Sequence, residues 1–136
     1  MSRALTLVVD TSVALKWYVE EPESERAEAL VGGGLVAPDW MLAEVANALW
    51  KKVMKGEITR DHACAVLPHL SETVALHPAT ELAEAALEAA LELRHPIYDG
   101  LFLVLAEELS ADLVTADLRL IHACRGTRFE SRIRQL

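Results

Sequence analysis

The chain has 136 residues, 52% of them hydrophobic and 25% charged, with six glycines and five prolines. That composition belongs to globular proteins and excludes the disordered, collagen-like and disulfide-rich classes, and the length suits one domain over residues 1–136. The net charge of −8 argues against a nucleic-acid partner held by bulk charge, because phosphates are met by Lys and Arg.

Met1-Ser2-Arg3 leads into the run Ala4–Val9, which is too short and wrongly flanked for a secretory leader. No stretch approaches the ~20 apolar residues of a membrane span, so a cytoplasmic protein without membrane contact is expected. Leu5-Thr6-Leu7-Val8-Val9 reads as a buried strand closed by Asp10-Thr11-Ser12, a helix-capping sequence. A first helix follows from Ser12 and stops before Pro22, a second runs from Glu23 to Leu30, and Leu35–Ala37 is a second strand.

From Met41 to Lys55 the positions Leu42, Val45, Ala46, Leu49 and Val53 recur at helical spacing, and Gly56 supplies the stop. Thr59 caps the next helix, which is expected to break around Pro68, and Thr73–Leu76 reads as a weak third strand. Ala79 to Arg94 is an Ala/Leu/Glu helix whose Glu81, Glu84, Glu88 and Glu92 form one solvent-facing stripe. His95-Pro96-Ile97 interrupts the chain, and an apolar helix then runs to about Leu109 with Asp99 in its first turn. Leu113–Thr115 is the last clear strand, followed by Ala116-Asp117 and a short helix from Leu118 to about Cys124. Strands alternating with helices predict an α/β fold, three layers with a central, mostly parallel sheet of four or five strands.

Charge is unevenly spread. Residues 119–136 carry Arg119, Arg125, Arg128, Arg132 and Arg134 against Glu130 alone, and Lys51, Lys52, Lys55 and Arg60 gather at the end of one helix. Either group is a solvated face or a phosphate-contacting patch, with Lys51, Lys52, Lys55, Arg119 and Arg125 as the candidates for such contact. Cys64 and Cys124 sit in no metal-ligand spacing and read as small core hydrophobes. The five histidines form no zinc motif. Trp17, Trp40 and Trp50 could stack on bases, although tryptophans beside aliphatics at helical positions more often fill a core or an interface.

Asp10 and Asp117 each follow an apolar strand, and the carboxyl ends of strands form the ligand crevice of open α/β sheets. Asp99 and Glu44, near helix N-termini, can join them there. Several carboxylates in one crevice raise each other's pKa unless a cation is present, and oxygen ligands suit Mg²⁺ or Mn²⁺. Such a site serves in-line displacement at phosphorus. Taken singly, each carboxylate is equally a helix cap or a turn residue.

Val8-Val9-Asp10-Thr11-Ser12, Ala43-Glu44-Val45-Ala46-Asn47, Tyr98-Asp99-Gly100-Leu101-Phe102-Leu103 and Leu113-Val114-Thr115-Ala116-Asp117 resemble, in order, the acidic motifs of PIN domains. The resemblance is strongest to the VapC toxins of toxin–antitoxin pairs. It implies a PIN-like sheet between helices and a metal-dependent ribonuclease in which Asp10, Asp99 and Asp117 hold the metal directly or through water. Glu44 completes the acidic ring, Ser12 and Thr115 orient the carboxylates, and Asn47 shares the Glu44 helix face. The resemblance also implies an RNA substrate, a homodimer and a cognate VapB-type antitoxin. Gly100 stands where such sequences often carry alanine, at a cost of about 1 kcal/mol in a helix interior.

Other readings fit less well. A haloacid phosphatase wants a second aspartate where this chain has Ser12, and a receiver wants a lysine that Thr115-Ala116-Asp117 does not offer. A housekeeping RNA-processing nuclease of the same fold, or a non-catalytic binding module, remains open at this level.

Overall fold

The computed structural model describes residues 5–136; Met1–Ala4, where the absence of a leader is read, lies outside them. Among the described residues five strands form one sheet: β1 (Thr6–Val9), β2 (Gly34–Pro38), β3 (Ala75–His77), β4 (Asp112–Thr115) and β5 (Ile133–Gln135). Their order is β3-β2-β1-β4-β5 and every pairing is parallel. The sheet is thus five-stranded and wholly parallel. Central β1 sets Val8 between Val36 and Leu113, and Val8 and Val9 are fully buried, as a strand covered on both faces requires.

Among the described residues seven helices make the crossovers: α1 (Thr11–Ala14), α2 (Ser24–Glu28), α3 (Trp40–Met54), α4 (Arg60–Thr73), α5 (Ala79–Leu93), α6 (Ile97–Leu109) and α7 (Leu118–Cys124). Short 3-10 turns at Leu15–Trp17 and Glu130–Arg132 complete the connections. Parallel crossovers are right-handed, so those running from β1 through β2 to β3 and those returning through β4 to β5 cover opposite faces. This is a three-layer α/β/α arrangement. The strand order reverses between β1 and β4, and that switch point opens a crevice at their carboxyl ends.

Between Asp99 and Glu107, helix α6 is apolar around its circumference, with Gly100 to Ala106 continuously buried. It packs on β1, β2 and β4 and on α5, which is why it lacks a polar face. Gly100 makes that packing possible. A Cβ there would stand 2.8 Å from the Ala86 carbonyl oxygen on α5, so the glycine is the condition for close helix contact and not merely a loss of helix propensity.

Three local expectations need correction. Helix α4 runs through Pro68, because both Pro68 and Cys64 are exposed; solvent can satisfy the carbonyl left without its amide donor while Val66 and Leu70 stay buried. Thr73 remains in α4, its hydroxyl donating to the His69 carbonyl at 2.8 Å, so the third strand starts two residues later than predicted. Of the cysteines only Cys124 is buried; Cys64 is exposed.

The arginine-rich tail is anchored by the pairing of β5 with β4 and by fully buried Phe129, and ion pairs add to this. Arg128 bridges Glu92 on α5 and Glu107 on α6, and Arg134 meets Asp112 at 3.0 Å. These contacts hold β5 and the preceding turn against the body, which makes part of the basic cluster structural.

Candidate active site

The first residue past β1 is Asp10, whose backbone N–H donates to the Val114 carbonyl on β4 at 3.3 Å. The carboxylate turns into the switch-point crevice and is only 4% exposed. Its Oδ1 accepts from Ser12 Oγ at 2.5 Å and from the Val13 amide at 3.2 Å, and its Oδ2 accepts from Thr115 Oγ1. The two hydroxyls do double duty: Ser12 Oγ accepts from the Ala116 amide and Thr115 Oγ1 from the Asp117 amide, both at 3.0 Å. The strand end, the helix start and the β4–α7 loop are thereby tied to one carboxylate.

Asp117 closes the same loop. It caps α7, accepting from the Arg119 amide at 2.9 Å through Oδ1. Asp10 likewise caps α1, so the capping roles read from sequence hold for both, alongside any chemistry.

The other half of the crevice is borne by helices. Glu44, on the second turn of α3, accepts from Thr11 Oγ1 at 2.9 Å through Oε1. Asp99, in the first turn of α6, meets His95 Nε2 at 2.5 Å through Oδ2. Burial pushes the Asp10 carboxyl up to about 6; the bonds from Ser12, Thr115 and Val13 oppose this, and the Asp99 charge adds to it. Burial also raises Glu44, against the Thr11 bond and with the Asp99 charge. The Asp99 charge thus contributes to the upward shift of both carboxyls.

Thr11 and His95 were not singled out from sequence. Thr11 was readable only as a capping neighbour of Asp10, and the four-residue spacing of His95 and Asp99 is interrupted by Pro96. The predicted supports Ser12 and Thr115 are both in place. Asn47 is exposed one turn beyond Glu44. Lys51, Lys52 and Lys55 lie roughly 10 Å or more along α3 from Glu44, and Lys52 is paired with Glu57 at 3.4 Å. Arg119 lies in the first turn of α7 beside Asp117, whereas exposed Arg125 follows its other end.

Among the described residues no three His, Cys, Asp or Glu side chains stand as a ready-made chelating set. The donors fit a hydrated hard cation instead. Glu44 Oε2, Asp99 Oδ1 and Asp117 Oδ2 have no hydrogen-bond partner among the described residues, and magnesium-like ions are held by one or two carboxylates with water in the remaining positions. The all-oxygen set disfavours a soft metal.

Comparison with known proteins identifies the family. The PIN domain family model matches residues 7–126, the span that includes all four acidic positions. Ribonuclease VapC3 of Pyrobaculum aerophilum is 35% identical over 121 residues, covering 85% of this chain and 92% of the relative. Ribonuclease VapC1 of Mycobacterium tuberculosis is 34% identical over 108 residues, covering 71% and 77%. The crystal structure of PAE2754 from Pyrobaculum aerophilum superposes with a TM-score of 0.59 at 26% identity, covering 91% of this chain and 90% of that one. PIN-domain VapC ribonucleases are generally divalent-metal dependent, and this chain belongs to the PIN-domain family, grouping within it with the VapC ribonucleases.

Proposed function

We propose that residues 1–136 form one nuclease domain, a Mg²⁺- or Mn²⁺-dependent endoribonuclease that is the VapC-type toxin of a toxin–antitoxin pair. The observation that carries this reading is Asp10, buried at the switch point and gripped by Ser12 and Thr115, with Glu44 and Asp99 beside it in a chain aligned along most of its length with ribonucleases. Asp10, Asp99 and Asp117 would hold the cation directly or through water, with Glu44 completing the ring. When bound, the cation supplies Lewis-acid activation of water for in-line attack at phosphorus.

The chain's own side chains do the positioning. Ser12 and Thr115 fix both Asp10 oxygens, so little reorganisation is needed as charge develops. Thr11 sets the Glu44 carboxylate, leaving its second oxygen toward the crevice. His95 anchors Asp99 Oδ2 and leaves Oδ1 for a ligand.

The reading extends to a cytoplasmic homodimer restrained by a VapB-type antitoxin. Incubating the antitoxin-free protein with an RNA panel tests it: cleavage should require Mg²⁺ or Mn²⁺ and vanish in Asp10→Asn and Asp99→Asn. Wild-type protein that cuts no RNA with either metal ends the enzymatic claim.

A further inference from the structure

Beside the acidic crevice lies a hollow of about 390 Å³ lined by Trp40, Ala43, Glu44, Asn47 and Tyr98, within the range of small-ligand sites. Trp40 and Tyr98 are not core residues. They are 37% and 49% exposed, and their rings lie nearly parallel, with centroids 5.1 Å apart and 8° between planes. The tertiary fold makes this pair: Trp40 begins α3 and Tyr98 lies in the first turn of α6.

The pair borders the candidate acidic site, because Glu44 lines the same hollow. Tyr98 immediately precedes Asp99, and Trp40 lies one helical turn before Glu44, on the same face of α3. A group resting on the rings therefore lies next to the reacting phosphodiester. The lining contains no Lys or Arg, and its one ionisable group apart from the tyrosine is Glu44. A phosphate is repelled there, while a flat, uncharged ring is not. Asn47 brings an amide that both donates and accepts, which suits a base edge.

We propose that Trp40, Tyr98 and Asn47 form the seat for one unpaired nucleobase of the RNA, adjacent to the scissile phosphodiester. The inference rests on the ribonuclease reading and deepens it: the seat selects RNA that is single-stranded at the cut, because a base inside a duplex has no free face to stack. The rings supply sequence-tolerant affinity, and Asn47 supplies preference among bases.

The test compares wild type with Trp40→Leu, Tyr98→Leu and the conservative Trp40→Phe. Loss of stacking should raise KM for single-stranded RNA about tenfold in the two leucine variants with little change in kcat, and Trp40→Phe should restore most of the KM. In a separate titration of Asp10→Asn in magnesium, a short single-stranded oligouridine should quench tryptophan fluorescence, and a sugar–phosphate oligomer of equal length without bases should not. Adding Trp40→Leu should abolish the difference. An unchanged KM in both leucine variants, or equal quenching with and without bases, overturns the seat; that is also the result expected if the rings receive another protein. Should wild type cleave no RNA, the enzymatic reading falls, and the base-dependent quench, which needs no turnover, still decides the seat.

Discussion

The two halves of the crevice are built differently. The sheet half, Asp10 with Ser12, Thr115 and Asp117, hangs on strand ends and is closed by interlocking hydrogen bonds, two of which join Asp10 to β4 and a third of which joins Ser12 to the loop after it. The helix half, Glu44 and Asp99, is borne by α3 and α6, each carboxylate held by one side-chain bond. Rigid strand ends can preorganise a charge. Helix-borne groups take their positions from how the helices pack, so they carry the adjustable part of the site together with the exposed rings of Trp40 and Tyr98.

The sharpest way to break this contrast is Asp10→Asn, which should lower RNA cleavage by more than the roughly 100-fold upper figure for a supporting residue. Thr115→Val keeps the volume and removes both hydrogen bonds of a fully buried hydroxyl. Cleavage should fall about 10- to 100-fold, and the denaturation midpoint should drop by the equivalent of roughly 1–3 kcal/mol. Thr115→Ser, which retains the hydroxyl, should recover most of the activity.

The pH dependence of the metal-free protein comes next. The Asp10 carboxyl rises from 3.8 to about 6 on folding, so between those values the folded chain keeps a proton that the unfolded chain has released. Stability therefore falls as pH rises through that window, by roughly 3 kcal/mol from this group, and Glu44 acts in the same direction. Denaturation of chelator-treated protein from pH 4 to pH 7 reads this directly, and millimolar Mg²⁺ should restore stability at the upper end. A metal-free midpoint that climbs toward pH 7 would contradict the buried, raised Asp10.

On the helix side, Gly100→Ala should destabilise by about 1–2 kcal/mol, because overpacking against the Ala86 carbonyl outweighs the gain in helix propensity. A raised midpoint would mean that α5 and α6 separate easily. The smallest effect belongs to Thr11→Val, which removes one half-exposed bond to Glu44; a loss of a few-fold in cleavage is expected, well short of that in Thr115→Val.

Legibility in the sequence followed the same division. Asp10 and Asp117 could be located from their strands, since an apolar run ending in a carboxylate is a local pattern, and the paired hydroxyls Ser12 and Thr115 lay inside the same motifs. Glu44 and Asp99 could be assigned to helices that the topology allows over the crevice, but their convergence there could not be established from sequence. Pro68 misled because its effect on a helix depends on whether the freed carbonyl reaches solvent, which burial decides. Gly100 looked like a cost until Ala86 was seen opposite it.

By itself, the sequence determined the alternation of strands and helices, the apolar character of α6 and the order of the acidic motifs, because periodicity and capping are properties of neighbouring residues. Only the tertiary structure decided that β5 extends the sheet, that Arg128 ties the tail to α5 and α6, and that Trp40 stacks on Tyr98. Those contacts join residues far apart along the chain, and their geometry is set by how helices and strands pack in three dimensions.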